Sequence, residues 1–148
     1  MKKKLVIFGI TELAQLAHFY YTHDSDYEVV AFVLDGNYIK ENVFLGLPVV
    51  AFEDVEKQYP PNEYAMYTAI GYTNLSELRK IKFYKAKEKG YTLASYVSSK
   101  STTWPGLKVG ENTFIMEDFP DPVAPTKAMV CPFFTSNETW SKIFRLPS

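Results

Sequence analysis

Apolar and polar positions alternate in two textures along the first hundred residues. Segments 4–8 (KLVIF), 27–34 (YEVVAFVL) and 64–70 (YAMYTAI) are apolar almost throughout, which predicts parallel strands covered on both faces. Between them, apolar residues recur at helical spacing. Leu13, Leu16, Ala17 and Tyr20 mark a helix over 12–21. Leu75, Leu78, Ile81, Lys82 and Lys85 mark a longer one, reaching Lys89, in which a core stripe is mixed with a basic face. Thr11 is placed to cap the first helix, Thr73 or Asn74 the second, and Gly90 to end it. Residues 37–47 read as a connecting loop or short helix. Residues 48–50 read as a short strand, 52–58 as a short helix stopped by Pro60-Pro61, and 93–97 as the last strand. Strands separated by helices imply right-handed crossovers. The expected class is therefore α/β, a small Rossmann-like parallel sheet with flanking helices over residues 1–96.

Beyond that the period changes. Val97, Thr103, Val109 and Ile115 fall six residues apart, and three hexads close one triangular coil of a left-handed β-helix. Residues 97–117 are thus expected to form a short left-handed β-helix-like segment. Residues 118–148 hold five of the nine prolines and no sustained period, so they are expected to be an irregular tail.

Composition narrows the function classes. A formal net charge of −1 gives no global field favouring nucleic acid or an anionic membrane. Lys2, Lys3 and Lys4 precede an apolar run, 5–10, too short to span a bilayer and without a signal-peptide cleavage site. The single cysteine, Cys131, excludes an internal disulfide, and with two histidines no metal framework is available. A cytoplasmic protein is the simplest fit. Aromatic residues make up 16% of the chain, which points to ring-rich packing, with base stacking open to only one or two of them.

Candidate chemistry lies where strands end. Gly9-Ile10-Thr11 joins the first strand to the first helix, where free helix N–H groups face a bound phosphate in doubly wound folds; a tight turn with no ligand is the alternative. The turn lacks the G-x-G-x-x-G pattern, and Glu12 would repel a pyrophosphate, so a nicotinamide dinucleotide is disfavoured. Asp35-Gly36, ending the second strand, is placed either to meet a ribose or base edge or simply to turn the chain. Gly71 to Asn74 offers a second anion or base contact, or a helix cap. His18 and His23 have no partner at metal spacing, and no nucleophile–base pair is legible, so no catalytic residue is assigned.

The order of KKLVIFGITELAQLAHFYYTHDSDYEVVAFVLD, AIGYTNLSELRKIKFYKAKEKGYTLASYV and VGENTFIME resembles the amino-terminal part of bacterial sugar acyltransferases. That group includes sialic acid O-acetyltransferases and acetyltransferases of UDP-4-amino-sugars. The resemblance covers roughly residues 3–117. It implies a nucleotide-sugar, a UDP-sugar being favoured, at Gly9, Ile10, Thr11, Asp35 and Gly36, with Gly71 and Asn74 nearby. It also implies acetyl-CoA bound between β-helices of a trimer, with a catalytic histidine on a later coil. No histidine follows His23 here. The expectation is a chain that retains the nucleotide-sugar domain and binds no cofactor alone. Acetyl-CoA would belong to the full architecture, and a homo-oligomer or a separate catalytic chain would supply the rest. Two rivals remain, a non-catalytic interaction or regulatory module and an NAD-linked enzyme.

Overall fold

The computed structural model describes residues 1–71 and 76–117. Its elements are β1 (Lys3–Phe8), α1 (Glu12–His23), β2 (Tyr27–Leu34), β3 (Val43–Phe44), β4 (Leu47–Ala51), α2 (Val55–Gln58), β5 (Tyr64–Thr68), α3 (Ser76–Glu88), β6 (Tyr96–Val97) and β7 (Phe114–Ile115). Five strands form one sheet in the order β3-β4-β2-β1-β5, and all its pairs are parallel except β3 with β4. The alternation of apolar strands and helix-spaced segments therefore produces the α/β class expected.

Both faces of β1 are covered, which explains its unbroken apolar run. Leu5 and Ile7 pack with Leu13, Ala14, Ala17 and Tyr21 of α1, and Val6 and Phe8 pack with Ala86 of α3 on the other side. In β2, Val29 and Val30 together oppose Leu5, a bulge that puts Val29 and Phe32 on the same face of the sheet. On α1 the buried row is Leu13, Ala14, Ala17 and Tyr21; Leu16 and Tyr20 are only half-buried.

Four expectations need correction. The expected loop or short helix over 37–47 contains a 3-10 turn, Gly36–Tyr38, and then an antiparallel hairpin, β3–β4. Leu45 (φ 50°) and Gly46 (φ 77°) both sit in the left-handed region, the geometry of a two-residue hairpin loop, and Leu45 is not a residue that signals it. The inward face of α3 carries Arg79, Lys82 and Ala86 instead of Leu78 and Ile81, which are exposed. Lys82 is tolerated there because a carboxylate and two aromatic rings receive its ammonium group.

The expected last strand, 93–97, does not continue in the sheet. Leu93 makes one bridge to Met66, and Tyr96–Val97 then pairs with Phe114–Ile115 in a separate ladder. Ser95 turns the chain off the sheet edge; its hydroxyl donates to the Gly110 carbonyl (2.5 Å) and accepts the Thr113 N–H (3.0 Å). The β6–β7 ladder is parallel with partners eighteen residues apart, Tyr96 with Phe114 and Val97 with Ile115. That offset is three hexads, the length of one coil.

The burial of the hexads also differs from expectation. Tyr96 and Phe114 are buried against the domain, Val97 and Ile115 are half-buried, and Thr103 and Val109 are exposed. Successive strand residues point to opposite sides. Tyr96 and Phe114, the residues beside two of the hexad leaders, therefore join the main core, while Val97 and Ile115 face the other side of the ladder. The expected tail, 118–148, lies outside the described residues.

Part of the aromatic excess packs at this seam. Tyr21, Tyr67, Tyr96 and Phe114 are all buried, with ring centroids 4.8–6.0 Å apart across α1, β5, β6 and β7. Asn112, 1% exposed, completes the junction. It has φ 55°, a region asparagine tolerates, and its side chain meets the outer edge of β5 as a strand would. Its Oδ1 accepts the Thr68 N–H (2.7 Å), and its Nδ2 donates to the Thr68 carbonyl (3.3 Å) and hydroxyl (2.5 Å).

Candidate functional site

The sheet order reverses at β1. The chain runs from β1 to β2 on one side and later adds β5 on the other. Such a reversal leaves a crevice beyond the carboxyl ends of the two strands flanking it, because their helices lie on opposite faces. Phe8, the last residue of β1, is level with Val33 and Thr68. Gly9, Asp35 and the stretch Ala69 to Gly71 therefore leave the sheet side by side. Gly9 donates to the Val33 carbonyl (2.8 Å), and Ala69 donates to that of Phe8 (2.8 Å).

Gly9 forms the floor of the crevice. Its φ of +116° is strained for any side chain, and a Cβ there would lie 3.0 Å from the Ala69 carbonyl oxygen. Ile10 follows, half-buried against the core, and Thr11 occupies the N-cap position of α1. Thr11 differs from expectation in one respect, since its side chain makes no capping hydrogen bond. The carbonyl of Thr11 accepts from Gln15 (3.0 Å). The first-turn N–H groups of α1 thus open at the crevice without a side-chain cap.

The tip of β2 is more elaborate than the sequence suggested. Asp35 pairs through Oδ1 with Lys82 of α3, whose side chain is nearly buried. The Lys82 ammonium also lies 5.3 Å from the Phe8 ring centroid and 4.9 Å from that of Phe52. The Gly36 N–H donates to both oxygens of Glu53 (3.1 and 3.4 Å). Lys89 closes the arrangement, stacking 5.1 Å from Phe52 and pairing with Glu56 at 2.7 Å. Lys82 and Glu53 are the residues the sequence reading missed as site components. A lysine among apolar helix positions was the available signal for the first. Nothing local marks Glu53, because its partner is seventeen residues away.

Gly71 continues from β5 and has open space where a Cβ would stand. Asn74 and Thr73 lie outside the described residues. Neither histidine is at the crevice. His18 is six residues into α1 and stacks 5.8 Å from Phe32; burial, and then the charge of His23, holds its pKa below the usual imidazole value. His23 is the last residue of α1, at the opposite end from the crevice, and its Nδ1 is 2.8 Å from the Phe19 carbonyl. Among the described residues no group of three or more His, Cys, Asp or Glu side chains is arranged to hold a metal ion. No described helix is long and apolar enough to cross a membrane.

No family model and no curated protein matches the sequence. Solved structures do match the fold. The acetyltransferase domain of PglB from Neisseria gonorrhoeae aligns with a TM-score of 0.63 at 17% identity, over 78% of this chain and 54% of that one. PerB from Caulobacter crescentus, in complex with CoA and GDP-perosamine, aligns with a TM-score of 0.60 at 21% identity, over 78% of this chain and 52% of that one. UDP-D-quinovosamine 4-dehydrogenase from Vibrio fischeri aligns at 0.54 and 13% identity, over 62% and 75%. At these identities the likeness establishes the fold, that of sugar acetyltransferase structures. The chain spans about half the length of the two acetyltransferases.

Proposed function

We propose that the described residues form the nucleotide-sugar-binding part of a sugar acetyltransferase system. Residues 1–96 would hold the ligand and residues 97–117 would begin the β-helix. The observation that carries this reading is the reversal of sheet order at β1, with the crevice that such a reversal leaves beyond the strand ends. Glycine is required at its floor, and a helix of twelve residues opens beside it with no side-chain cap. A phosphate would lie over Gly9, Ile10 and Thr11, drawn by the N–H groups and dipole of α1. Asp35, oriented by Lys82, would accept hydrogen bonds from ribose hydroxyls through its second oxygen. Gly36 and Gly71 would let the base and sugar approach the backbone, and Asn74 would contribute a polar side chain.

The solved relatives support the ligand class, since PerB is in complex with a nucleotide-linked sugar. A UDP-linked sugar is the ligand proposed. We place acetyl-CoA outside the described residues. They build one coil, and the crevice has no imidazole to accept a proton from an attacking amine or hydroxyl. We assign the acyl donor and the base to further coils, in this chain or in another.

Calorimetric titration with UDP-sugars, GDP-sugars and NAD tests the proposal. A nucleotide-sugar should bind, NAD should not, and Asp35→Asn should weaken binding about tenfold, a loss of about 1.4 kcal/mol. No binding by any nucleotide-sugar refutes the reading. So does acetyl-CoA turnover that is lost on replacing His18 or His23.

A further inference from the structure

Among the described residues, the outer face of α3 has no neighbour to explain its composition. Leu78, Ile81 and Tyr84 are 39%, 46% and 56% exposed, while Arg79, Lys82 and Ala86 occupy the buried side. At 100° per residue, Leu78, Ile81 and Tyr84 fall within one arc of about 120° that runs from the flank of that buried side round to the opposite side, with Ile81 at its centre. Glu77 and Lys85 lie four residues before and after Ile81 on the same arc, and both are exposed. Neither has an ion-pair partner among the described residues.

We infer that this face binds the same face of a second copy of the chain, with the two α3 helices antiparallel about a two-fold axis through Ile81. The pattern is self-complementary in that arrangement and in few others. Ile81 meets its own copy, Leu78 meets Tyr84 of the partner, and Glu77 meets Lys85 of the partner, each pair occurring twice. A two-fold contact requires this kind of reciprocity. A parallel arrangement would instead set Glu77 against Glu77 and Lys85 against Lys85. A single helix face is smaller than the roughly 1,200–2,000 Å² of a standard interface, so the dimer is weak and concentration-dependent. Burial of Ile81 and its apolar neighbours supplies the attraction, and the Glu77–Lys85 pairs select the orientation. The inference stands apart from the nucleotide-sugar reading, because this face is turned away from the sheet.

Sedimentation velocity of the full chain, across about two decades of concentration, should show a monomer–dimer equilibrium. Ile81→Asp should weaken it at least tenfold. Glu77→Lys and Lys85→Glu should each weaken it, since each places like charges together twice. Mixing those two single variants should restore association as a heterodimer, and the double variant should restore it as a homodimer. All these sites are exposed, so each variant should keep the circular dichroism spectrum of the parent. A monomer at every concentration overturns the inference. A dimer indifferent to Ile81→Asp, or single variants that fail to rescue each other, overturns it equally.

Discussion

Truncating Asn112 tests whether a side chain stands in for a strand at the edge of β5. Both partners are buried, and three hydrogen bonds join them. Asn112→Ala leaves the Thr68 N–H and carbonyl without their partner, while the Thr68 hydroxyl is free to rotate. An unsatisfied buried group costs about 1–3 kcal/mol, so the two backbone groups together cost about 2–5 kcal/mol once some relaxation is allowed. The φ of 55° adds about 1 kcal/mol for alanine and almost nothing for glycine. Asn112→Gly therefore isolates the hydrogen bonds, and the difference between the two variants isolates the backbone. Against a total stability of about 5–15 kcal/mol either loss is large. Urea unfolding followed by near-ultraviolet circular dichroism measures both, and native-state hydrogen exchange reports on the Thr68 amide. If Asn112→Gly stays within about 1 kcal/mol of the parent and the Thr68 amide exchanges as slowly as before, the surrogate-strand argument is wrong.

Other perturbations have equally definite outcomes. The buried Tyr21 hydroxyl has no hydrogen-bond partner among the described residues, so Tyr21→Phe should leave stability unchanged or raise it by up to about 1 kcal/mol, read as a higher Tm. Gly9→Ala should destabilise by about 1–3 kcal/mol through its φ and its approach to Ala69, and thermal unfolding would show this without any ligand. Asp24 accepts the Ser99 N–H and the Tyr96 hydroxyl, and the Ser99 contacts in particular hold its pKa below the ordinary 3.8. A depressed carboxyl contributes stability above its ordinary value and loses that contribution as pH falls through the lower, folded value. Acid unfolding of Asp24→Asn should lack that part of the slope below about pH 4; an unchanged slope would dissociate Asp24 from the seam between α1 and the coil.

The strands that were legible are those buried on both faces. β2 was read to the residue because every position in it is apolar, aromatic or β-branched apart from Glu28. β3 was not, because two residues carry no period and Leu45 disguises the turn. For α3 the periodicity gives the right position but the wrong rotation. Periodicity assigns leucine and isoleucine to the interior, and it cannot register that Asp35, forty-seven residues away, makes room for Lys82. The same limit governs the site. Gly9 and Asp35 announce themselves at strand ends, whereas Glu53 and Lys82 enter only through long-range pairing. The hexad spacing was visible in sequence. Its docking through Tyr96 and Phe114, one residue off the expected leaders, depends on the body against which the coil packs.

An open sheet ends in rows of unpaired backbone groups, which invite strands of other molecules to add on. Here β5 is such an edge, yet its outward-facing groups are occupied. Met66 bonds to Thr92 (3.0 Å) and Ala94 (2.8 Å), and Thr68 bonds to the Asn112 amide. The segment from Thr92 to Thr113 thus serves as an edge guard, whatever else it begins. A chain cut after Tyr91 would keep the sequences of all five strands but lose Tyr96, Asn112 and Phe114 and expose that edge, so it should both unfold more readily and aggregate.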